Sequence, residues 1–244
     1  MKRDSDDFLP ESMPVYLDKT QQILVTLRSM SEQALQKLWA CSDSIAAENL
    51  ERLRVMDLQR DLSPALFSYE GLAFKYLSPG SFTDDALDYI RSELRVISGF
   101  YGVLRPFDGI TPYRLEMQAR LSVNGSKDLY DYWGKDIAEE VCRGRDTVID
   151  LASKEYSVTV RDHLPAGTRI IEIIFAEEKN GKLITKGTMA KMARGEMTRY
   201  IAEEQIEDPQ KLKQFAMHYH YAEEYSDREH MVFLYEKKKR EEDW

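Results

Sequence analysis

Two arginines and two carboxylates crowd into the run from Ser98 to Met117, SGFYGVLRPFDGITPYRLEM. Arg105 and Arg114 carry planar forks matched to phosphate or carboxylate. Gly99 and Gly102 admit backbone conformations closed to other residues, and Pro106 and Pro112 each fix φ and remove a donor. A helix ending at Gly99, a tight glycine turn and a basic segment could offer backbone amides to phosphate. The helix-hairpin-helix modules that bind duplex backbones use such a turn, although their glycines stand two apart rather than three. A turn-rich connection with two solvated arginines accounts for the same composition. If Tyr113–Met117 is extended, Arg114 and Glu116 share one face, because side chains alternate along a strand. A guanidinium beside a carboxylate holds it ionised, which serves a structural ion pair as well as a catalytic one.

Three further groups of residues have chemical potential. Ser153, Glu155 and Tyr156 follow a predicted strand, Thr147–Leu151, and the carboxyl end of a strand in an α/β sheet is a favoured place for ligands. Ser153 could cap a helix or bind a phosphate oxygen; Glu155 could act as a base or orient a partner. Lys191 and Arg194 are three apart on a predicted helix and can grip one anion. Gly195 beside them costs a helix about 1 kcal/mol relative to alanine, which close approach of another backbone, a ligand or plain tight packing would offset. His218 and His220 would share a strand face near Glu223 and Glu224, the basis of an iron-binding reading, but no metal site is assigned.

These runs also resemble a known family. YGVLRPFD followed by YRLEM, LYDYW at 129–133, LASKEY at 151–156 and KMARGEM at 191–197 keep the order of the blocks of the bacterial YaaA family of peroxide stress proteins, also called UPF0246. The similarity extends from about Pro14 to the last predicted strand. Members usually begin with a short strand and an ISPAK segment, whereas this chain begins MKRDSDDFLP; the expectation is that the first strand, and a lysine with it, is absent. Asp150 stands where the family has asparagine, so a contact needing an amide donor would be lost. The resemblance implies a DNA-binding protein with a helix-hairpin-helix-like element, active against peroxide and associated with lowering free iron.

At 244 residues and 43% hydrophobic content the chain can fill a sizeable core. No apolar run approaches the ~20 residues of a membrane span, and the acidic N-terminus lacks a secretory h-region. Two cysteines, Cys41 and Cys142, without close spacing suit a reducing cytosol and argue against zinc. The net charge of −9 opposes indiscriminate nucleic-acid binding, so a local basic patch must supply it. Arg91, Arg95, Arg105, Arg114 and Arg120 form one basic stretch; Lys182, Lys186, Lys191, Arg194 and Arg199 form another. Either could be an ordinary solvated face.

Periodicity predicts helices over Lys19–Trp39 with a break near Ser29–Ser31, Ser44–Met56, Ala65–Tyr76, Asp84–Ile97, Lys127–Val141, Thr188–Glu204 and Pro209–Phe215. Strands are expected at Thr147–Leu151, Thr168–Phe175, Lys182–Lys186 and His230–Glu236, with a hairpin turn at Asn180-Gly181. Interleaved helices and strands define a mixed α/β (α+β) class, a mixed sheet surrounded by helices in a single compact domain over 1–244, with a charged tail at 237–244. The functional expectation is a cytoplasmic peroxide stress protein without cofactor. It binds duplex or bubble DNA through a basic cleft and limits iron-dependent damage. Arg105, Arg114, Lys191 and Arg194 contact phosphate; Gly99 and Gly102 shape the hairpin. The alternatives are a hydrolase or lyase acting on a nucleobase or nucleotide through Glu116, Ser153, Glu155 and Tyr156, and an iron-sequestering protein.

Overall fold

A computed structural model describes Met1 and residues 8–236, so the tail expected at 237–244 lies outside the described residues. The chain forms two compact units. One comprises Met1–Glu70, Ile90–Arg145 and Ala152–Gly167; the other comprises Gly71–Tyr89, Asp146–Leu151 and Thr168–Trp244.

The N-terminal helices are α1 (Leu17–Ser29), α2 (Glu32–Trp39) and α3 (Asp43–Val55). The expected break after Ser29 is real: Ser31 caps α2, its Oγ accepting from the Ala34 N–H at 3.3 Å. Ile23, Leu24, Leu27, Leu35 and Trp39 form the buried stripe. Ala40 ends α2 in the left-handed region, φ 45°. Ser63–Pro64 is a two-residue strand, β1, that leads into α4 (Ala65–Ser68). The single helix expected over Ala65–Tyr76 is interrupted by extended Tyr69 and by Gly71, which caps α5 (Leu72–Leu77). Thr83 caps α6 (Asp84–Glu93), as expected, accepting from the Ala86 N–H.

After α6 the expectation fails. The helix stops at Glu93, and β2 (Val96–Ser98) and β3 (Gly102–Leu104) form an antiparallel hairpin with Val96 opposite Leu104. β-Branched Val96 and Ile97 favour the strand. Ser98 Oγ closes the turn by accepting from the N–H groups of Phe100 and Tyr101 at 3.1 and 2.9 Å. The Gly99–Gly102 turn is therefore flanked by strands, and these residues do not build a helix-hairpin-helix element. β4 (Gly109–Ile110) pairs with β1. Gly134 splits the helix expected over Lys127–Val141 into α7 (Leu129–Trp133) and α8 (Asp136–Val141). The next elements are β5 (Thr147–Asp150) and α9 (Lys154–Arg161).

Burial alternates from Arg114 to Val123. Leu115, Met117, Ala119, Leu121 and Val123 are buried, whereas Glu116, Gln118 and Arg120 are exposed and Arg114 is half-buried. The hairpin turn locks this segment in place. A Cβ on Gly99 would lie 2.9 Å from the Glu116 carbonyl carbon and the Leu115 oxygen. Gly102, at φ +75°, leaves no room for a Cβ beside the Trp133 ring, and Trp133 Nε1 donates to the Gly99 carbonyl at 3.0 Å.

The second unit holds a mixed five-stranded sheet completed by β6 (Arg169–Lys179), β7 (Lys182–Ile184), β8 (Tyr219–Tyr221) and β9 (His230–Tyr235), with α10 (Gly187–Glu203) between β7 and β8. The order is β5-β6-β9-β8, with β7 on the extension of β6. β5–β6 and β6–β9 are parallel; β6–β7 and β8–β9 are antiparallel. Asn180 and Gly181 both take positive φ, 53° and 72°, the two-residue turn expected of that pair. Ile171, Ile173 and Phe175 pack with Ala190, Ala193 and Met197 of α10. Ala176, Val232, Leu234 and Ala222 form a second cluster. The mixed α/β class is as the pattern predicts. Among the described residues no helix is long and apolar enough to cross a membrane.

Candidate functional site

In the first unit the alternating segment forms one wall of a cleft of about 360 Å³, contributed by Arg114, Glu116, Gln118 and Arg120. The opposite wall is α2, through Ala34, Lys37 and Leu38, with Met30 nearby. Arg114 ties the walls together: its Nε and Nη2 donate to the Trp39 carbonyl at 3.4 and 3.3 Å, satisfying the C-terminal end of α2. Its Nη2 is 3.6 Å from Glu116 Oε1, so the ion pair anticipated from the sequence forms, but loosely. Lys37 and Arg120 are exposed and make no hydrogen bond or ion pair among the described residues. Behind Arg114 lies a small cavity of about 10 Å³ lined by Trp39, Asn49 and Tyr113. Trp39 Nε1 and Asn49 Oδ1 are both buried without a hydrogen-bond partner.

Several of the enzyme-type candidates gather beside this cleft. Glu155 Oε1 accepts from the Gln118 N–H at 3.3 Å, and the Tyr130 hydroxyl donates to the Glu155 carbonyl at 3.0 Å. Burial pushes the Tyr156 hydroxyl up, and the neighbouring Glu155, Tyr113 and Glu116 push it further. Tyr113 Oη is hydrogen-bonded to Ser98 Oγ at 2.6 Å and to Tyr69 Oη at 2.7 Å. Burial raises both tyrosines, so they stay protonated. Ser153 occupies the N-cap of α9, but its side chain makes no cap bond there.

The remaining candidates have other surroundings. Gly99 and Gly102 are buried, and the amides of Phe100 and Tyr101 are consumed by Ser98, so the turn supports packing and does not present amides outward. Arg105 donates from Nε to Asp108 Oδ1 at 3.0 Å and from Nη2 to the Met13 carbonyl at 2.8 Å. Asp108 is fully buried and also accepts from Ser12 Oγ and the Arg105 N–H.

In the second unit Lys191 is exposed and Arg194 half-buried on α10. Arg194 Nε is buried without a partner; burial lowers its pKa, opposed by Asp150 and Glu172. Asp150, Glu172 and His230 stand in register across β5, β6 and β9. His220 Nδ1 is 3.2 Å from Glu236, and no group of three or more His, Cys, Asp or Glu among the described residues is arranged to hold a metal ion. Gly195 has its explanation in packing. A Cβ there would strike the Ala73 carbonyl oxygen and the Leu77 nitrogen of α5, so the glycine serves close approach of two helix backbones.

Sequence reasoning missed Lys37 and Trp39 and did not assign Arg120 to the site. The signal for Arg120 was present, since the alternation that joins Arg114 to Glu116 continues through Gln118. Nothing local marks Lys37, which comes from a different element.

The chain matches the family model described as peroxide stress protein YaaA over residues 1–225. It is 44% identical over 235 residues to a UPF0246 protein of Desulfitobacterium hafniense, covering 96% of this chain and 94% of that one. It is 45% identical over 234 residues to a UPF0246 protein of Lactiplantibacillus plantarum, with 96% and 94% covered. A UPF0246 protein of Agathobacter rectalis is 46% identical over 212 residues, 87% of this chain and 85% of its own. With the glycine turn, the alternating arginine segment and the α10 glycine all in place, the chain belongs to the YaaA family of peroxide stress proteins.

Proposed function

We propose that this family member binds DNA, favouring distorted or bubble DNA, and that in peroxide stress this binding limits iron-dependent damage indirectly. The observation that carries the reading is the 360 Å³ cleft itself, where Lys37, Arg114 and Arg120 face a single carboxylate in a chain of net charge −9. Such a local excess of cations focuses phosphate onto one place despite overall repulsion. Arg114 is held by α2, whereas Lys37 and Arg120 pair with no other described residue, which leaves their charge to a ligand. Lys191 and Arg194 form a separate anion-gripping pair in the second unit. Arg105 is left out of the phosphate set, because Asp108 and Met13 occupy its fork. An open strand suits the cleft because unpaired nucleotides can be drawn out at low cost.

Fluorescence anisotropy of labelled duplex and bubble DNA over a salt series tests this. The Lys37→Glu, Arg120→Glu double variant should lose at least tenfold in affinity, and the salt slope should shrink by about one or more as the phosphate contact is removed. Unchanged affinity and slope would overturn the reading.

A second reading, a hydrolase or lyase acting on a nucleobase or nucleotide, draws on Glu116 lying in the same cleft with Tyr156 and Glu155 beside it. There Glu116 would serve as general acid or base. Turnover of a nucleotide that collapses in Glu116→Gln while binding survives would favour it.

A further inference from the structure

Resting on the reading of this cleft as a DNA-contact surface, we propose that it takes one guanine nucleotide, with Glu116 reading the base and Lys37 and Arg120 holding its phosphate. The starting point is a conflict of charge. A surface built only to grip phosphate has no use for an ionised carboxylate in its wall, yet Glu116 projects from the same row as Arg114 and Arg120. An ionised carboxylate only accepts hydrogen bonds, so a ligand that tolerates it must bring donors as well as an anion.

The lone pairs of Glu116 are available. Its side chain is half exposed, Arg114 Nη2 stands 3.6 Å from Oε1, and Gln118 Nε2 is 3.5 Å from Oε2. Both contacts are long for charge-assisted bonds, which run to about 2.7–2.9 Å. The volume of about 360 Å³ lies near the lower end of the range for small-ligand pockets, roughly 300–1,000 Å³, and suits a single nucleotide. Met30, Leu38 and Ala119 give the cleft apolar surface for the flat faces of a base.

Among the four DNA bases, guanine alone places two adjacent donors, N1–H and the N2 amino group, on one edge. That pair matches both oxygens of one carboxylate. Adenine and cytosine each set one amino group beside an acceptor, which Glu116 would repel. Thymine has one N–H between two carbonyl oxygens. A bidentate contact of this kind discriminates by about tenfold or more.

Isothermal titration with dGMP, dAMP, dCMP and dTMP, together with anisotropy on bubbles whose unpaired segment is all G, A, C or T, tests the proposal. Tightest binding for dGMP or the G bubble, by about tenfold, is expected. In Glu116→Gln that preference should vanish while affinity for adenine changes less than threefold. A preference for dGMP alone identifies a free nucleotide as the ligand; a preference for the G bubble alone identifies an unpaired guanine in a strand. Equal affinity for all four bases, or a guanine preference that survives Glu116→Gln, would overturn the inference. DNA binding without base preference sinks this inference and leaves the DNA reading standing. Guanine-selective binding of dGMP without any DNA affinity does the reverse.

Discussion

At the scale of single residues, the fold consumes most of the cations that sequence reading grouped as a basic stretch. Arg91 grips Glu11 with two nitrogens, and Arg95 donates to the Ser92 and Leu94 carbonyls at the C-terminal end of α6. Arg105 neutralises buried Asp108, and Arg114 closes the end of α2. Only Arg120 of that stretch keeps its charge free among the described residues. Clustering along the chain was legible, but what each arginine pairs with was not. Glu11, Met13 and Trp39 lie 75 to 92 positions away in sequence from the arginines they serve. Asp108 is the sharpest case, a carboxylate with no exposure whose acceptor sites are filled by Ser12 and Arg105. Removing one partner of a buried pair leaves the other charge stranded. Asp108→Ala removes the shared acceptor of Ser12 and Arg105 and should destabilise the protein by about 1–3 kcal/mol in urea unfolding. Arg105→Ala should also lose stability, so weakened DNA binding in that variant would report folding and not a lost phosphate contact.

At the scale of elements, most were legible because their patterns are long. α1 with α2, α10 and the β6–β7 hairpin fall close to where periodicity and turn chemistry place them. The failures are short pieces. The Val96–Leu104 hairpin was read as the end of a helix because three-residue strands show no period, and the ladder bonds and the Ser98 turn outweigh helical continuation there. β8, also three residues, was missed for the same reason. For the candidate site, the alternating row was visible from Arg114 to Glu116, but its facing wall on α2 was not, since nothing local brings Lys37 to it. Gly195 shows packing overriding propensity. Alanine would improve α10 by about 1 kcal/mol on propensity alone. Its methyl, however, would collide with the α5 backbone at Ala73 and Leu77, which cannot rotate away. Overpacking of this kind costs about 1–3 kcal/mol or more, so Gly195→Ala should lower the thermal midpoint. A raised midpoint would mean that α5 can yield.

At the scale of the whole molecule, buried phenols set one edge of the stability profile. Burial raises Tyr69, Tyr101, Tyr113 and Tyr156 in the first unit, and pushes Tyr219 in the second up to about 12 from an ordinary value of 10.0. The unfolded chain gives up these protons near pH 10 while the folded chain keeps them. The stabilisation is complete below about pH 10 and is lost as pH climbs through the folded values. Urea midpoints should hold steady from pH 7 to 9 and fall between pH 10 and 12, and Tyr113→Phe should make that fall shallower. Connectivity matters at this scale too. Three segments of one unit alternate along the chain with three of the other, so no single cut in the gene separates them. Recombination can trade a module only when it is one contiguous stretch. Neither unit here is one contiguous stretch, so neither can pass to another protein as a single exchanged segment, which accords with relatives aligned over 85–94% of their own length.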